Sequence, residues 1–472
     1  MDMSQNRAIN TLINRRLYVI QYLLLVVLLT IQYNSYSSIL SNSSLLFLLK
    51  TEFIVVFLYT IFLSARISGY MSVYTLFLTF SFLFNYSRIF LDYFSSFTIN
   101  DGDLFNWITL SNSTVVELIY LVLFYLLSAT IAFLIFYKKK ELCLPKNNGF
   151  VNLGKNIIYL LAIPSVIMNI LVLKFILSQG YLALFNGEVL DYKYSWIGNV
   201  LARLNYFGYL LFLSGIPDKK QFMKVTRLFL VIIFISALKG QRGGFLLLLI
   251  YSIWYYHNIY GFKFNLRKAF KISTIVLVFS QFIVVFRSNV TSKLEVLNIP
   301  YEFLKANGVS LLVPAYLIEY KTSFVNNGTP YLFTPIYDYF YRIFIDSSVF
   351  YEGRTDELLK VSNYLSNQLI YFINSYSYYA GFGTGTSYLA EFYDLGGLFF
   401  GSFYLFILVL FVMKWEVWLF SNRIILFLSP IVVTRFLYMP RDSFFKIVND
   451  IFLLLVVYYV FNFFIKTKLK KS

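Results

Sequence analysis

The residues best suited to chemistry in this sequence are cations. Lys239 and Arg242 lie in Lys239-Gly240-Gln241-Arg242-Gly243-Gly244, between apolar runs from Leu228 to Leu238 and from Phe245 to Tyr260. A cation beside hydrocarbon is costly unless an anion or a water-filled cavity receives it. The glycines let the backbone turn tightly and come close to a ligand. The hexapeptide therefore reads either as an anion site at a membrane face or as a hairpin whose cations snorkel to headgroups. Arg88, Arg203, Arg287, Arg435 and Arg441 extend the set. A guanidinium fork binds two phosphate oxygens at once, and fixed cations stabilise the charge of a departing pyrophosphate. No Asp-x-Asp pair has a convincing setting and no His/Cys cluster has metal-ligand spacing, so metal-independent chemistry is expected. The one histidine, His257, reads as an interfacial residue at the inner end of a span.

The elements that position these cations are membrane spans. The chain has 472 residues, of which 59% are hydrophobic and 13% charged. A soluble domain carries about twice that share of charge. The chain reads as an all-α polytopic membrane protein, one integral-membrane domain over 1–472. A net charge of +17 would indicate nucleic acid in a soluble protein, but here it belongs to basic loops that hold topology. No nucleic-acid partner is expected. Cys143 is alone and forms no intrachain disulfide. The first apolar run, from Leu17, is long enough to span, so no cleavable signal is expected.

Spans need about 20 apolar residues. About twelve are expected, roughly at 17–36, 44–64, 69–91, 113–137, 156–178, 195–215, 225–239, 244–260, 272–288, 395–413, 422–439 and 444–465. With both termini cytoplasmic, the inner segments hold 23 of the 40 lysines and arginines, and the outer loops at 37–43 and 92–112 hold none. The hairpin at 239–244 then faces outward. The large outer loop, 289–394, carries helical patterns at Tyr301–Leu304, Leu358–Ile373 and Ser387–Tyr393, and reads as a cap on the membrane surface.

Charges inside the spans are one-sided. Lys50, Glu52, Arg88, Asp92, Glu117, Lys174, Arg203, Arg287, Arg435, Arg441, Asp442, Lys446 and Asp450 all fall at outer ends. This placement argues for a polar cavity open to the outside. Lys50–Glu52 and Arg88–Asp92 read as local ion pairs. The other arginines have fewer obvious acidic partners.

One segment carries a resemblance. Phe382-Gly383-Thr384-Gly385-Thr386-Ser387-Tyr388-Leu389-Ala390-Glu391-Phe392-Tyr393-Asp394-Leu395-Gly396-Gly397-Leu398-Phe399-Phe400-Gly401 resembles the stretch that leads into a late span of Wzy-type oligosaccharide repeat-unit polymerases. Lys239–Gly244, Gln179-Gly180-Tyr181 and Arg441 also fit, and the topology extends the likeness over most of the chain. One departure is Tyr341-Arg342, where a Pro-Arg pair is expected; it weakens any role for Arg342.

The resemblance implies a fold similar to lipid-dependent, GT-C type glycosyltransferases in a bacterial inner membrane, with the active site outside. It implies a metal-independent polymerase without cofactors, whose substrate is an undecaprenyl-pyrophosphate-linked oligosaccharide. Partners implied are membrane lipid, a polysaccharide chain-length regulator and a flippase. Glu391 and Arg242 are the catalytic candidates. Lys239, Arg242, Arg287, Arg435 and Arg441 are the expected pyrophosphate ligands, with Arg88, Arg203, Arg342 and Tyr393 as further contacts. Glu391 reads either as a base for the acceptor hydroxyl or as a helix-end charge. Two alternatives remain. An O-antigen ligase would place a histidine in the large outer loop, which has none. A flippase would show internal repeats and midplane charges, which are not evident.

Overall fold

The stretch from Asn112 to Phe136 is apolar on all sides, so it must be surrounded to be stable in a mixed environment. In the computed structural model it is the central helix. The structure describes residues 3–36, 43–99, 109–138, 143–179, 195–239, 242–262, 267, 299–324, 328–350 and 353–469. Among them every regular element is helical. The first half holds α1 (Met3–Tyr36), α2 (Ser43–Ser68), α3 (Val73–Ser81), α4 (Ser87–Phe94), α5 (Asn112–Phe136), α6 (Asn148–Gln179), α7 (Ser195–Ser214), α8 (Lys219–Ala237) and α9 (Arg242–Tyr260). A cap follows, with α10 (Ile299–Asn307), α11 (Leu312–Tyr320), α12 (Thr334–Phe344), α13 (Asp356–Val361), α14 (Leu365–Ile373) and α15 (Ser375–Tyr379). The chain then returns to the bundle through α16 (Tyr388–Trp418), α17 (Arg423–Tyr438) and α18 (Val448–Leu469).

Six helical stretches are long and apolar enough to cross a bilayer: Arg15–Ser35, Ser43–Ser68, Asn112–Phe136, Asn148–Gln179, Tyr388–Trp418 and Phe444–Phe463. Helices α7, α8, α9 and α17 pack among them and are shorter or less apolar. The expected span at 272–288 lies outside the described residues. The expected span at 69–91 is three pieces, because a single π turn over Phe82–Tyr86 separates α3 from α4.

Helix α5 packs against α1, α2, α11 and α16. Its N-terminus is capped by Ser111, whose hydroxyl accepts from the Thr114 amide at 3.3 Å. Glu319 of α11 accepts from the Ser111 hydroxyl at 2.8 Å, and so fastens the cap to this helix end. Helices α6 and α7 approach closely at Gly154 and Gly208, where a Cβ on either would strike the opposite helix. Leu24, Leu28, Ile31, Phe47, Val55 and Phe62 of α1 and α2 are exposed, as a lipid-facing surface requires.

The helix ends segregate by partner. At one end Cys143 meets Phe420, Asn147 meets Gly215, and Arg423 donates to the Ser214 and Pro145 carbonyls. At the other end lie the cap and the hairpin between α17 and α18. His257 belongs to the uncapped end, beside the Phe262 carbonyl.

The cap differs from its sequence reading. Two of its helices, α11 and α12, were not expected from the sequence. Helix α11 is pressed between α5 and α16, with Val313, Ala315, Tyr316 and Leu317 buried. The expected helix over Leu358–Ile373 is two, α13 and α14, and the expected Ser387–Tyr393 helix is the short first part of α16, ahead of a break.

Helix α16 is broken inside. Gly396 and Gly397 leave helical geometry, and Gly397 has φ +64° and ψ −153°, a region open essentially to glycine. The Tyr125 hydroxyl donates to the freed Gly397 carbonyl at 3.0 Å, and the Ser128 hydroxyl donates to the Ser402 carbonyl at 2.6 Å. A Cβ at Gly401 would run into the Tyr125 hydroxyl.

Candidate functional site

The hairpin between α8 and α9 does not carry its cations as one helix. Helix α8 stops at Ala237, and Lys239 sits in the turn, its amide donating to the Ser236 carbonyl at 3.1 Å. A new helix starts at Arg242. Lys239 and Arg242 therefore do not lie on one continuous helix. Lys239 is half-buried, and burial pulls its ammonium below the ordinary lysine value. Arg242 is placed by its backbone at the first turn of α9; its side chain lies outside the described residues.

The start of α9 abuts α17. A Cβ at Gly243 would come 3.1 Å from the Tyr438 hydroxyl, so only glycine allows this approach without a shift. Next to this contact is a cavity of about 300 Å³ lined by Tyr206, Gly244, Leu247, Thr434, Arg435, Tyr438 and Asp450 among others. Four helices, α7, α9, α17 and α18, supply its walls.

Arg435 is oriented by two carboxylates, Asp442 at 3.4 Å and Asp450 at 3.8 Å. Both contacts are long for charge-assisted bonds, so the guanidinium is steered rather than saturated. Asp442 is the hub. It accepts from Lys446 at 2.7 Å, from the Tyr364 hydroxyl at 2.6 Å and from the Ser443 amide at 2.9 Å. Burial opposes its charge, but these partners outweigh burial and hold its carboxyl below the usual range. Lys446 also lies over the Tyr364 ring at 4.5 Å, so α14 of the cap is anchored to the hairpin.

Arg441 points elsewhere. Its guanidinium lies 5.4 Å from the Phe84 ring centre, and Phe84 meets Tyr438 edge-on at 5.6 Å. Arg441 lines a second cavity of about 200 Å³ under the cap, with Val309, Tyr316, Ser377, Phe382, Gly383 and Thr384. Among the described residues it forms no ion pair. Arg435 and Arg441 therefore line different cavities.

Glu391 is 1% exposed, in the first turn of α16. One carboxylate oxygen accepts from the Thr386 hydroxyl at 3.2 Å and the other from the Ser443 hydroxyl at 3.2 Å. The Thr386 amide donates to the Arg441 carbonyl at 3.3 Å, and the Tyr388 amide to the Met439 carbonyl at 3.1 Å. Together these bonds lock the start of α16 to the α17–α18 hairpin.

The remaining candidates are dispersed. Tyr393 donates to Glu117 of α5 at 2.8 Å. Arg88 is fully buried, donating to the Ile99 carbonyl at 3.1 Å and lying over Phe97. Arg342 reaches Asn449 of α18 at 2.9 Å at the cap's edge. Arg203 is exposed on α7. Arg287, and Gly180 and Tyr181 of the short motif, lie outside the described residues. The expected local ion pairs are replaced by tertiary ones. Lys50 pairs with Asp92 at 2.9 Å, and Glu52 takes the Gln32 amide at 3.3 Å. Residues two apart on a helix point away from each other, which is why Lys50 and Glu52 do not pair.

Sequence reasoning did not single out Tyr364, Tyr438 or Tyr206, which line or brace this region. Nothing local marks them among 41 tyrosines. Asp338 of α12 was also overlooked. It accepts from the Ser362 hydroxyl at 2.7 Å, and burial lifts its carboxyl to about 6.

Comparison with known proteins decides the family. The family described as O-antigen polysaccharide polymerase Wzy matches residues 17–471. The chain belongs to the Wzy polymerase family. No curated protein and no solved structure matches it. As a Wzy-family chain with six apolar helices of spanning length, it is a multi-pass membrane protein with an O-antigen polymerase role. Wzy polymerases act on lipid-linked oligosaccharide repeat units, so the substrate of this chain is in general a lipid-linked one.

Proposed function

We propose that this Wzy-family chain transfers a growing glycan from its lipid pyrophosphate to the acceptor sugar of a new lipid-linked repeat unit, outside the cytoplasmic membrane. An acceptor hydroxyl attacks the anomeric carbon, the bond to pyrophosphate breaks, and the lipid pyrophosphate leaves with its added negative charge. Arg435 stabilises that charge from the cavity beside Tyr438, and Lys239, Arg242 and Arg287 are its further ligands. Arg441, which lines the second cavity under the cap, is a further candidate contact to the substrate.

The observation that carries this reading is the meeting of the α9 start, Arg435 and Tyr438 around one cavity at the capped end. Arg435 is held loosely enough by Asp442 and Asp450 for a phosphate to replace one contact. Desolvated cations there act more strongly on developing charge than they would in water. Both oxygens of Glu391 are engaged, which favours a positioning role: it holds the α16 start on the hairpin that bears Arg441. The twelve-span count, the cytoplasmic termini and the GT-C likeness belong to this proposal.

The test is reconstitution of the purified chain with one lipid-linked repeat unit. Longer glycans on lipid are the expected product. Translocation of the unit without lengthening would assign a transporter instead.

A further inference from the structure

A groove on the far side of α5 has walls of Leu25, Leu28 and Leu29 from α1, Val55 and Val56 from α2, and Leu123 and Leu127 from α5. Its volume is about 360 Å³. It extends over about two helical turns, roughly 10 Å. Exposed Leu24, Ile31 and Leu58 surround it, so it faces the bilayer. The polar groups in the lining are Gln32, Thr51 and Glu52. The Thr51 hydroxyl is engaged with the Phe47 carbonyl at 2.9 Å and lies 3.3 Å from the Tyr93 hydroxyl. Glu52 accepts from the Gln32 amide, and among the described residues it forms no ion pair. The nearest cation in sequence, Lys50, is committed to Asp92.

A carboxylate facing hydrocarbon is expensive and calls for a cationic partner. We infer that this groove binds a membrane lipid with an ammonium headgroup, its acyl chain along the leucines and its amine on Glu52. Charge complementarity selects the headgroup, since a purely anionic lipid meets repulsion at Glu52. The site is independent of the proposed glycan transfer.

The test is native mass spectrometry of the purified full chain, titrated with phosphatidylethanolamine and phosphatidylglycerol of identical acyl chains. We expect the amine lipid to be retained roughly tenfold better, as one charge-assisted contact implies. Glu52→Gln keeps the shape and the Gln32 bond, and should abolish that preference. If this variant fails to fold, Val55→Trp fills the groove while leaving Glu52 in place, and should remove the tightly held lipid. Equal retention of both lipids, or a preference that survives Glu52→Gln, overturns the site. No lipid preference, with a co-purifying membrane protein lost in Glu52→Gln, would also overturn it and put a partner's basic side chain there.

Discussion

Arg435 and Arg441 sit on one hairpin yet line different cavities, and Arg441 turns toward the Phe84 ring. Cation identity was legible in the sequence; which cations share a space was not. Arg242 is the sharpest test of the pyrophosphate assignment. Its position at the start of α9, next to the Arg435 cavity, makes bidentate binding the expectation. Arg242→Ala should cut polymer formation by about a hundredfold at normal protein abundance. Arg242→Lys should lose about tenfold, because the charge stays and the fork goes. Polymer length and protein level, measured for both variants, check this. Near-normal polymer from Arg242→Ala would remove the assignment. Glu391→Gln tests the positioning role: one oxygen still accepts from Thr386 or Ser443, so polymer per molecule should stay near normal while the folded protein loses about 1 kcal/mol. A large rate loss at unchanged stability would make Glu391 the base.

Among the elements, the broken helix α16 carries most of the design. The sequence displayed its glycines, Gly396, Gly397 and Gly401, as a glycine-rich helix start. It could not show that the break falls after two full turns, or that Tyr125 satisfies the freed carbonyl. Those facts depend on α5 lying alongside, a contact between residues 272 positions apart. Gly401→Ala should destabilise the chain by about 1–3 kcal/mol through its collision with the Tyr125 hydroxyl. Tyr125→Phe should partly rescue it. The same change should not rescue Gly397→Ala, whose cost is backbone strain in open space. Thermal unfolding in detergent of the three single and two double variants separates the two mechanisms; equal rescue of both would mean that Tyr125 acts by some other route.

For the whole molecule, the cap sits at one end of the bundle and the Cys143, Gly215 and Arg423 contacts at the other. The lysine and arginine bias predicts that the capped end faces outward. A reporter active only outside the cytoplasm should be active when fused after Asn289 or Val361 and silent after Lys140 or Lys268. Activity at Lys140 would reverse the orientation and put both cavities on the cytoplasmic face.

The sequence by itself determined a membrane-embedded helical chain, a large late cap, and a bias of charge toward one end of the spans. Apolar run length and loop charge are local properties, and local properties are readable one segment at a time. Only the tertiary structure decided which charges pair. Lys50 passes over Glu52 for Asp92, Arg435 is drawn to Asp442 and Asp450, and Glu391 is enclosed by Thr386 and Ser443. Burial of a charge is costly unless it is paired, so each one takes whatever partner packing brings within reach, and helix packing is what sets that reach.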